Sequence, residues 1–177
     1  MPLFRRGQPP EALSAAITGV KLGDRVAFAG TGDIRLITEL ATRAGLSGRV
    51  VLIAPDAASA AARVARVEHA GALAEPVGAP LTSLPLENGS FDVAVAEETL
   101  HALGDGDRTA AIAEVFRVLR PGGRLLWIER RARGGLFAKT APDTSPWERM
   151  LSAAGFRGVR TLAAAEGRTY VEGIKSA

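Results

Sequence analysis

The sequence has 177 residues, of which 47% are hydrophobic and 23% are charged, a balance typical of a globular protein and too apolar for a disordered chain. It contains no cysteine and two histidines, which excludes disulfides, thiolate metal sites and cysteine nucleophiles and disfavours a histidine metal site. The net charge of +3 is a small excess that does not by itself indicate nucleic-acid binding.

Apolar residues recur in turn at helical spacing and in short continuous runs. The amino-terminal half predicts a helix at 11–20, a strand at 26–29, a helix at 33–44, a strand at 50–54, a helix that Asp56 caps and that runs to about 69, and a strand at 73–77. The rest predicts a strand at 91–96, a helix at 107–119, a strand at 124–129, a helix at 146–154, and strands at 159–162 and 169–174.

This alternation of strands and helices predicts an α/β fold with a mostly parallel sheet and helices on both faces. Pro76 cannot donate to a ladder and places the third strand at an edge, while Glu166 and Gly167 predict a hairpin that closes the sheet. We expect a single domain over residues 1–177, with residues 1–10 flexible.

Three segments occur in an informative order: VAFAGTGDIRLITELA, then LPLENGSFDVAVAEETLHAL, then EVFRVLRPGGRLLWIE. Together they resemble successive landmarks of class I S-adenosylmethionine-dependent methyltransferases, and the resemblance extends over about 11–175. It implies a doubly wound Rossmann-like fold with a seven-stranded sheet in the order 3-2-1-4-5-7-6. It also implies S-adenosylmethionine as cofactor, held where the carboxyl ends of the strands open a crevice.

The resemblance places the cofactor at the loop that follows the first strand. Glycine there lets backbone approach the ligand, and the next helix directs free N–H groups towards its carboxylate. The residues of this loop are Gly30, Thr31, Gly32 and Asp33. Phe28 and Ile34 stand where the family has an acid and a third glycine, so the motif is degenerate, and Asp33 is equally explained as a helix cap.

The remaining cofactor contacts are also implied by the resemblance. Ala54 aligns with the acid that binds the ribose hydroxyls, and Asp56 reaches the ribose only along a shifted path, its alternative role being the helix cap. Leu81 lies in the loop that meets adenine and offers an apolar contact.

Two polar residues follow the fourth strand and are candidate catalytic residues. The resemblance places Glu97 beside both cofactor and substrate, the alternative being a solvated acid at the start of a helix. His101 matches a family histidine and has the chemistry of a proton acceptor near neutral pH, the alternative being a packing role. The arginines in 130–139 are suited to an anionic substrate or partner, or form a solvated loop.

The sequence thus favours a methyltransferase-like protein that uses S-adenosylmethionine on an unidentified acceptor, which is a small molecule or a group presented by a partner. The alternative is a noncatalytic module that keeps the fold for association or regulation, as a homo-oligomer or hetero-oligomer. A nicotinamide dehydrogenase fits less well, because Arg35 replaces the last small residue of G-x-G-x-x-G. Without an apolar stretch of membrane-spanning length or a signal-like start, we expect a cytoplasmic protein without membrane association.

Overall fold

The computed structural model describes residues 10–31, 34–130 and 143–176, and their elements alternate as the sequence predicts. The helices are α1 (Pro10–Thr18), α2 (Arg35–Ala44), α3 (Ala57–His69), α4 (Asp105–Val118) and α5 (Ser145–Ala153). The strands are β1 (Arg25–Gly30), β2 (Arg49–Ala54), β3 (Glu75–Gly78), β4 (Phe91–Glu97), β5 (Leu119–Arg130), β6 (Phe156–Ala165) and β7 (Arg168–Lys175). A 3₁₀ turn at Leu100–Ala102 follows β4.

The seven strands form one sheet in the order β3-β2-β1-β4-β5-β7-β6, which confirms the predicted topology. Strands β1 to β5 pair in parallel, and β7 runs antiparallel to both β5 and β6. Pro76 lies in β3 at one edge of the sheet, where a residue without an N–H is tolerated.

Successive side chains of the strands point to opposite faces and pack into two separate cores. On the α1–α3 face, Phe28 and Val95 pack against the buried stripe of α2 that contains Leu36, Ile37 and Leu40. On the α4–α5 face, residues such as Trp127 pack against the buried sides of α4 and α5. Helices therefore cover both faces of the sheet.

Three strands differ from their predicted bounds by two residues or more. β6 runs over Phe156–Ala165 and extends the predicted 159–162 at both ends. β3 begins at Glu75 and not at residue 73, and Leu73 is 64% exposed. β5 already begins at Leu119, and the predicted turn at 121–123 is an irregularity of the β4–β5 register inside this strand. A hydrophobic run predicts which residues are buried better than it predicts where pairing begins.

The carboxyl-terminal hairpin turns at Glu166 and Gly167, whose φ angles are 51° and 74°. Positive φ at both central residues is the geometry that two-residue hairpins favour. In the part of the chain that the structure describes, no helix combines the length and the apolar character needed to cross a membrane.

Candidate functional site

The carboxyl ends of the parallel strands meet at one edge of the sheet. The strand order changes direction there, between β1 and its neighbour β4. In doubly wound folds this is where ligands bind. Gly30 ends β1 in register with Glu97 of β4, and Glu97 is in turn in register with Ile128 of β5. The Thr31 N–H donates to the Glu97 carbonyl at 3.3 Å. The structure thus brings Gly30, Thr31 and Glu97 together, and their contact with a cofactor stays a prediction.

Side chains fill the space beside Gly30. A Cβ at this position would lie 2.7 Å from the Phe28 ring and 3.1 Å from Glu97 Oε2, so a larger residue would require these groups to move. The ring of Phe28 is fully buried on the same face of the sheet. The degeneracy at Phe28 thus replaces a polar position with an apolar surface next to the β1 terminus.

Arg63 of α3 also reaches the end of β1. Its Nη1 donates to the Gly30 carbonyl, and its Nη2 is buried without a hydrogen-bond partner among the described residues. Burial lowers the pKa of this guanidinium, while the nearby Glu97 carboxylate opposes that effect. The sequence analysis missed Arg63, although an arginine between the inward-facing Ala60 and Val67 of α3 is a signal that indicates a buried partner.

Glu97 is a buried carboxylate, 2% exposed, on the α1–α3 face. Its Oε1 lies 3.4 Å from Nη1 of Arg168, and its Oε2 has no hydrogen-bond partner among the described residues. Burial raises the pKa of Glu97 to about 7, although Arg168 acts in the opposite direction. Arg168 donates to Ser14 Oγ at 3.0 Å, which ties this acid to α1.

His101 and Glu129 form a second polar group, at the start of the segment after β4 and near the end of β5. His101 Nδ1 lies 2.5 Å from Glu129 Oε2, while Glu129 Oε1 accepts from Trp127 Nε1 at 2.6 Å and from the His101 N–H at 3.3 Å. The Glu129 side chain is 3% exposed and that of His101 is 57% exposed. Burial raises the pKa of Glu129, and its contacts with Trp127 and His101 oppose this effect.

These contacts fix the orientation of the imidazole. A carboxylate that accepts the Nδ1–H bond selects the tautomer in which Nε2 is the free acceptor. Trp127, which supports the carboxylate, is stacked on Trp147 of α5 with ring centroids 5.2 Å apart. Glu129 was missed in the sequence analysis, although an acid that directly follows the buried run 125–128 is unusual enough to mark a site.

The two predicted catalytic residues lie on opposite faces of the sheet. Glu97 continues the alternation of Val93 and Val95, which pack in the α1–α3 core. Glu129, the partner of His101, continues the alternation of Trp127, which packs in the α4–α5 core. The carboxyl edge of the sheet thus carries one polar group on each face, Glu97 on one and His101 with Glu129 on the other.

The predicted ribose and adenine residues lie near the ends of β2 and β3. Ala54 is in register with Gly78, and Leu81 lies half-buried in the turn after β3. Asp56 caps α3, as predicted: Oδ1 accepts the Ser59 N–H at 2.8 Å and Oδ2 accepts the Ser59 hydroxyl at 2.7 Å, contacts that lower its pKa. Its ribose contact stays a prediction.

Some predicted site residues fall outside the described part of the chain. Gly32, Asp33 and residues 131–139 lie outside the described residues, so their proposed contacts stay predictions. Arg130 is described, and its Nε donates to Glu98 Oε1 at 2.6 Å. Ile34, which directly precedes α2, makes no side-chain cap hydrogen bond.

Residues 29–127, more than half of the chain, match the family model described as "Methyltransferase domain". The chain belongs to this methyltransferase domain family. The matched region contains Gly30, Arg63, Glu97 and His101, and it ends just before Glu129.

The chain is also similar to curated proteins. It is 33% identical over 124 residues to the hybrid PKS-NRPS synthetase ucsA of Acremonium sp., a match that covers 65% of this chain and 3% of that protein. It is 34% identical over 118 residues to the ubiquinone/menaquinone biosynthesis C-methyltransferase UbiE of Xylella fastidiosa, covering 64% of this chain and 45% of that one. The chain therefore spans less than half the length of these relatives.

Among solved structures, the chain resembles an S-adenosylmethionine-dependent methyltransferase from Aquifex aeolicus, with a TM-score of 0.78 at 20% identity. The alignment covers 93% of this methyltransferase domain and 89% of the Aquifex chain. The likeness agrees with the methyltransferase fold.

Proposed function

We propose that this chain binds S-adenosylmethionine and transfers its methyl group to an acceptor that loses a proton to His101. The observation that carries this proposal is the half-exposed imidazole, held by the buried Glu129 at 2.5 Å, at the carboxyl edge of a methyltransferase-family sheet. The name of the Aquifex structure and the C-methyltransferase relative support the choice of cofactor and reaction.

The cofactor supplies a methyl group already activated by its sulfonium, so the protein has mainly to bind, orient and exclude water. The residues at the edge fit one part of such a ligand, since buried polar atoms of Arg63 and Glu97 have no partner among the described residues. They fit the ribose less well, because Ala54 has no hydrogen-bonding side chain.

The chain's own chemistry is proton transfer. Nε2 of His101 accepts the proton of an O–H, N–H or activated C–H group, whose electron pair is thereby free to form the new bond to the methyl carbon. Glu129 is a positioning residue: it holds Nδ1–H and stabilises the imidazolium that forms.

The test measures S-adenosylhomocysteine binding by calorimetry and methyl transfer from labelled S-adenosylmethionine to candidate O–H and activated C–H acceptors. We expect H101N to bind the ligand like the unmodified protein and to lose about 10²-fold to 10⁴-fold in transfer rate, the usual contribution of a general base. H69N, at the exposed end of α3, is the matched control. Absence of binding at millimolar ligand would favour the noncatalytic module instead.

A further inference from the structure

Two buried polar atoms near Gly30 lack partners and have opposite hydrogen-bonding character. Arg63 Nη2 is a donor and Glu97 Oε2 is an acceptor, and neither has a partner among the described residues. Arg63 is anchored on the Gly30 carbonyl through Nη1, and Glu97 Oε2 lies 3.1 Å from the point where a Gly30 Cβ would stand. Both groups therefore adjoin the same strand terminus.

The charges of Arg63 and Glu97 interact at a distance. Each affects the pKa of the other, yet the described side chains of Arg63 and Glu97 form no direct ion pair. Arg168 occupies Glu97 Oε1, and its own contact with Ser14 holds it there. The arrangement leaves one buried carboxylate oxygen and one buried guanidinium nitrogen without a hydrogen bond from the described residues.

The chemistry of the missing ligand group follows from these two atoms. A simple anion would bond Arg63 and be repelled by Glu97, whereas a simple cation would do the reverse. A group that carries a carboxylate and an ammonium on one carbon satisfies both atoms, through charge-assisted hydrogen bonds that are stronger than neutral ones.

We propose that Arg63 and Glu97 form a split receptor for the zwitterionic α-amino-acid end of the bound ligand. Arg63 Nη2 binds the α-carboxylate, and Glu97 Oε2 binds the α-ammonium. The proposal rests on the proposed function, since the methionine part of S-adenosylmethionine supplies this zwitterion. Arg168 and Ser14 support the receptor from β7 and α1.

The test compares S-adenosylhomocysteine with 5′-methylthioadenosine, which has the same nucleoside and thioether but no amino-acid end. By calorimetry at pH 8, where Glu97 is ionised, we expect the unmodified protein to bind S-adenosylhomocysteine at least about 30-fold more tightly. R63M and E97Q should each weaken its binding about tenfold or more and leave 5′-methylthioadenosine unaffected. R157M, which changes an exposed arginine of β6, is the control and should change neither affinity.

Each contrary result has a distinct meaning. Equal affinity of the unmodified protein for both ligands would overturn the receptor and leave the methyltransferase proposal standing. Tighter S-adenosylhomocysteine binding by R63M would also overturn it, because Arg63 would then obstruct the ligand. Binding of neither ligand would overturn the proposed function and the receptor with it. R63K, which keeps the charge but loses the two-pronged donor, should also lose affinity selectively and serves if R63M does not fold.

Discussion

Glu97 has a measurable consequence at the scale of one residue, because its pKa is raised by burial to about 7 from an ordinary 4.5. The charged groups around it are Arg168, Glu98, Arg63 and Arg130. A carboxyl whose pKa is higher in the folded protein binds its proton more tightly there than in the unfolded chain. The contribution of Glu97 to the free energy of unfolding is therefore greatest below about pH 4.5 and falls as the pH rises through 7.

We expect E97Q to abolish the fall in unfolding free energy that Glu97 causes as the pH rises. Relative to E97Q, the unmodified protein should lose up to about 3 kcal/mol of unfolding free energy between pH 5 and pH 8, since one pKa unit corresponds to about 1.4 kcal/mol. Urea denaturation of both proteins at several pH values measures this difference in unfolding free energy. E68Q changes an exposed acid and should keep the pH dependence of the unmodified protein; parallel curves for E97Q and the unmodified protein would contradict the burial argument.

The sequence predicted some of the site's residues and missed others for a physical reason. Gly30 and Glu97 were predicted at the carboxyl edge because each lies at the end of a strand, whereas His101, four residues after β4, was predicted from the resemblance. Arg63 and Glu129 were missed because their roles depend on partners 33 and 28 residues away along the chain. Which long side chain turns towards a strand end depends on packing that periodicity does not report.

At the scale of elements, Asp56 has two possible roles, the cap of α3 and the predicted ribose contact, and variants of the cap distinguish them. Both oxygens of Asp56 accept from Ser59, so the cap alone accounts for this residue. Asparagine also caps helices well, whereas alanine does not. We therefore expect D56A to lower the thermal unfolding midpoint and D56N to preserve it.

The same variants test the predicted ribose contact of Asp56. If the cap is its whole role, D56N should bind S-adenosylhomocysteine with unchanged affinity by calorimetry. A loss of affinity in D56N at an unchanged unfolding midpoint would instead establish the ribose contact, because an amide cannot replace a carboxylate that accepts from two hydroxyls. S59A, which removes one cap partner, controls for changes in the helix start.

For the whole molecule, the alternation of short buried runs with amphipathic stretches predicted the element order and, through the resemblance, the sheet topology. Strand bounds were less predictable, because pairing at β3 and β5 depends on neighbours distant in sequence. The division of the site between two faces of the sheet was likewise not foreseen. Side-chain alternation determines it, and a one-residue difference in register would reverse it.

That division predicts that ligand binding and proton transfer are separable. Arg63 and Glu97 belong to the α1–α3 face, whereas His101 and Glu129 belong to the α4–α5 face, and the described contacts give the two groups no common partner. Substitutions without shared partners have additive effects. In R63M/E129Q we therefore expect the S-adenosylhomocysteine affinity of R63M alone.

Imidazole ¹⁵N resonances report the other half of the site, and the presence of two histidines makes their assignment simple. We expect E129Q to change the tautomer signature of His101 and R63M to leave it unchanged, because Glu129 is the partner of Nδ1 among the described residues. The double variant R63M/E97Q should behave differently, because Arg63 and Glu97 bind the same end of the ligand. Its fold-loss of S-adenosylhomocysteine affinity should be smaller than the product of the fold-losses of R63M and E97Q. Coupling between R63M and E129Q in either measurement would show that the strand ends transmit changes between the faces, and the two groups would then have to be treated as one site.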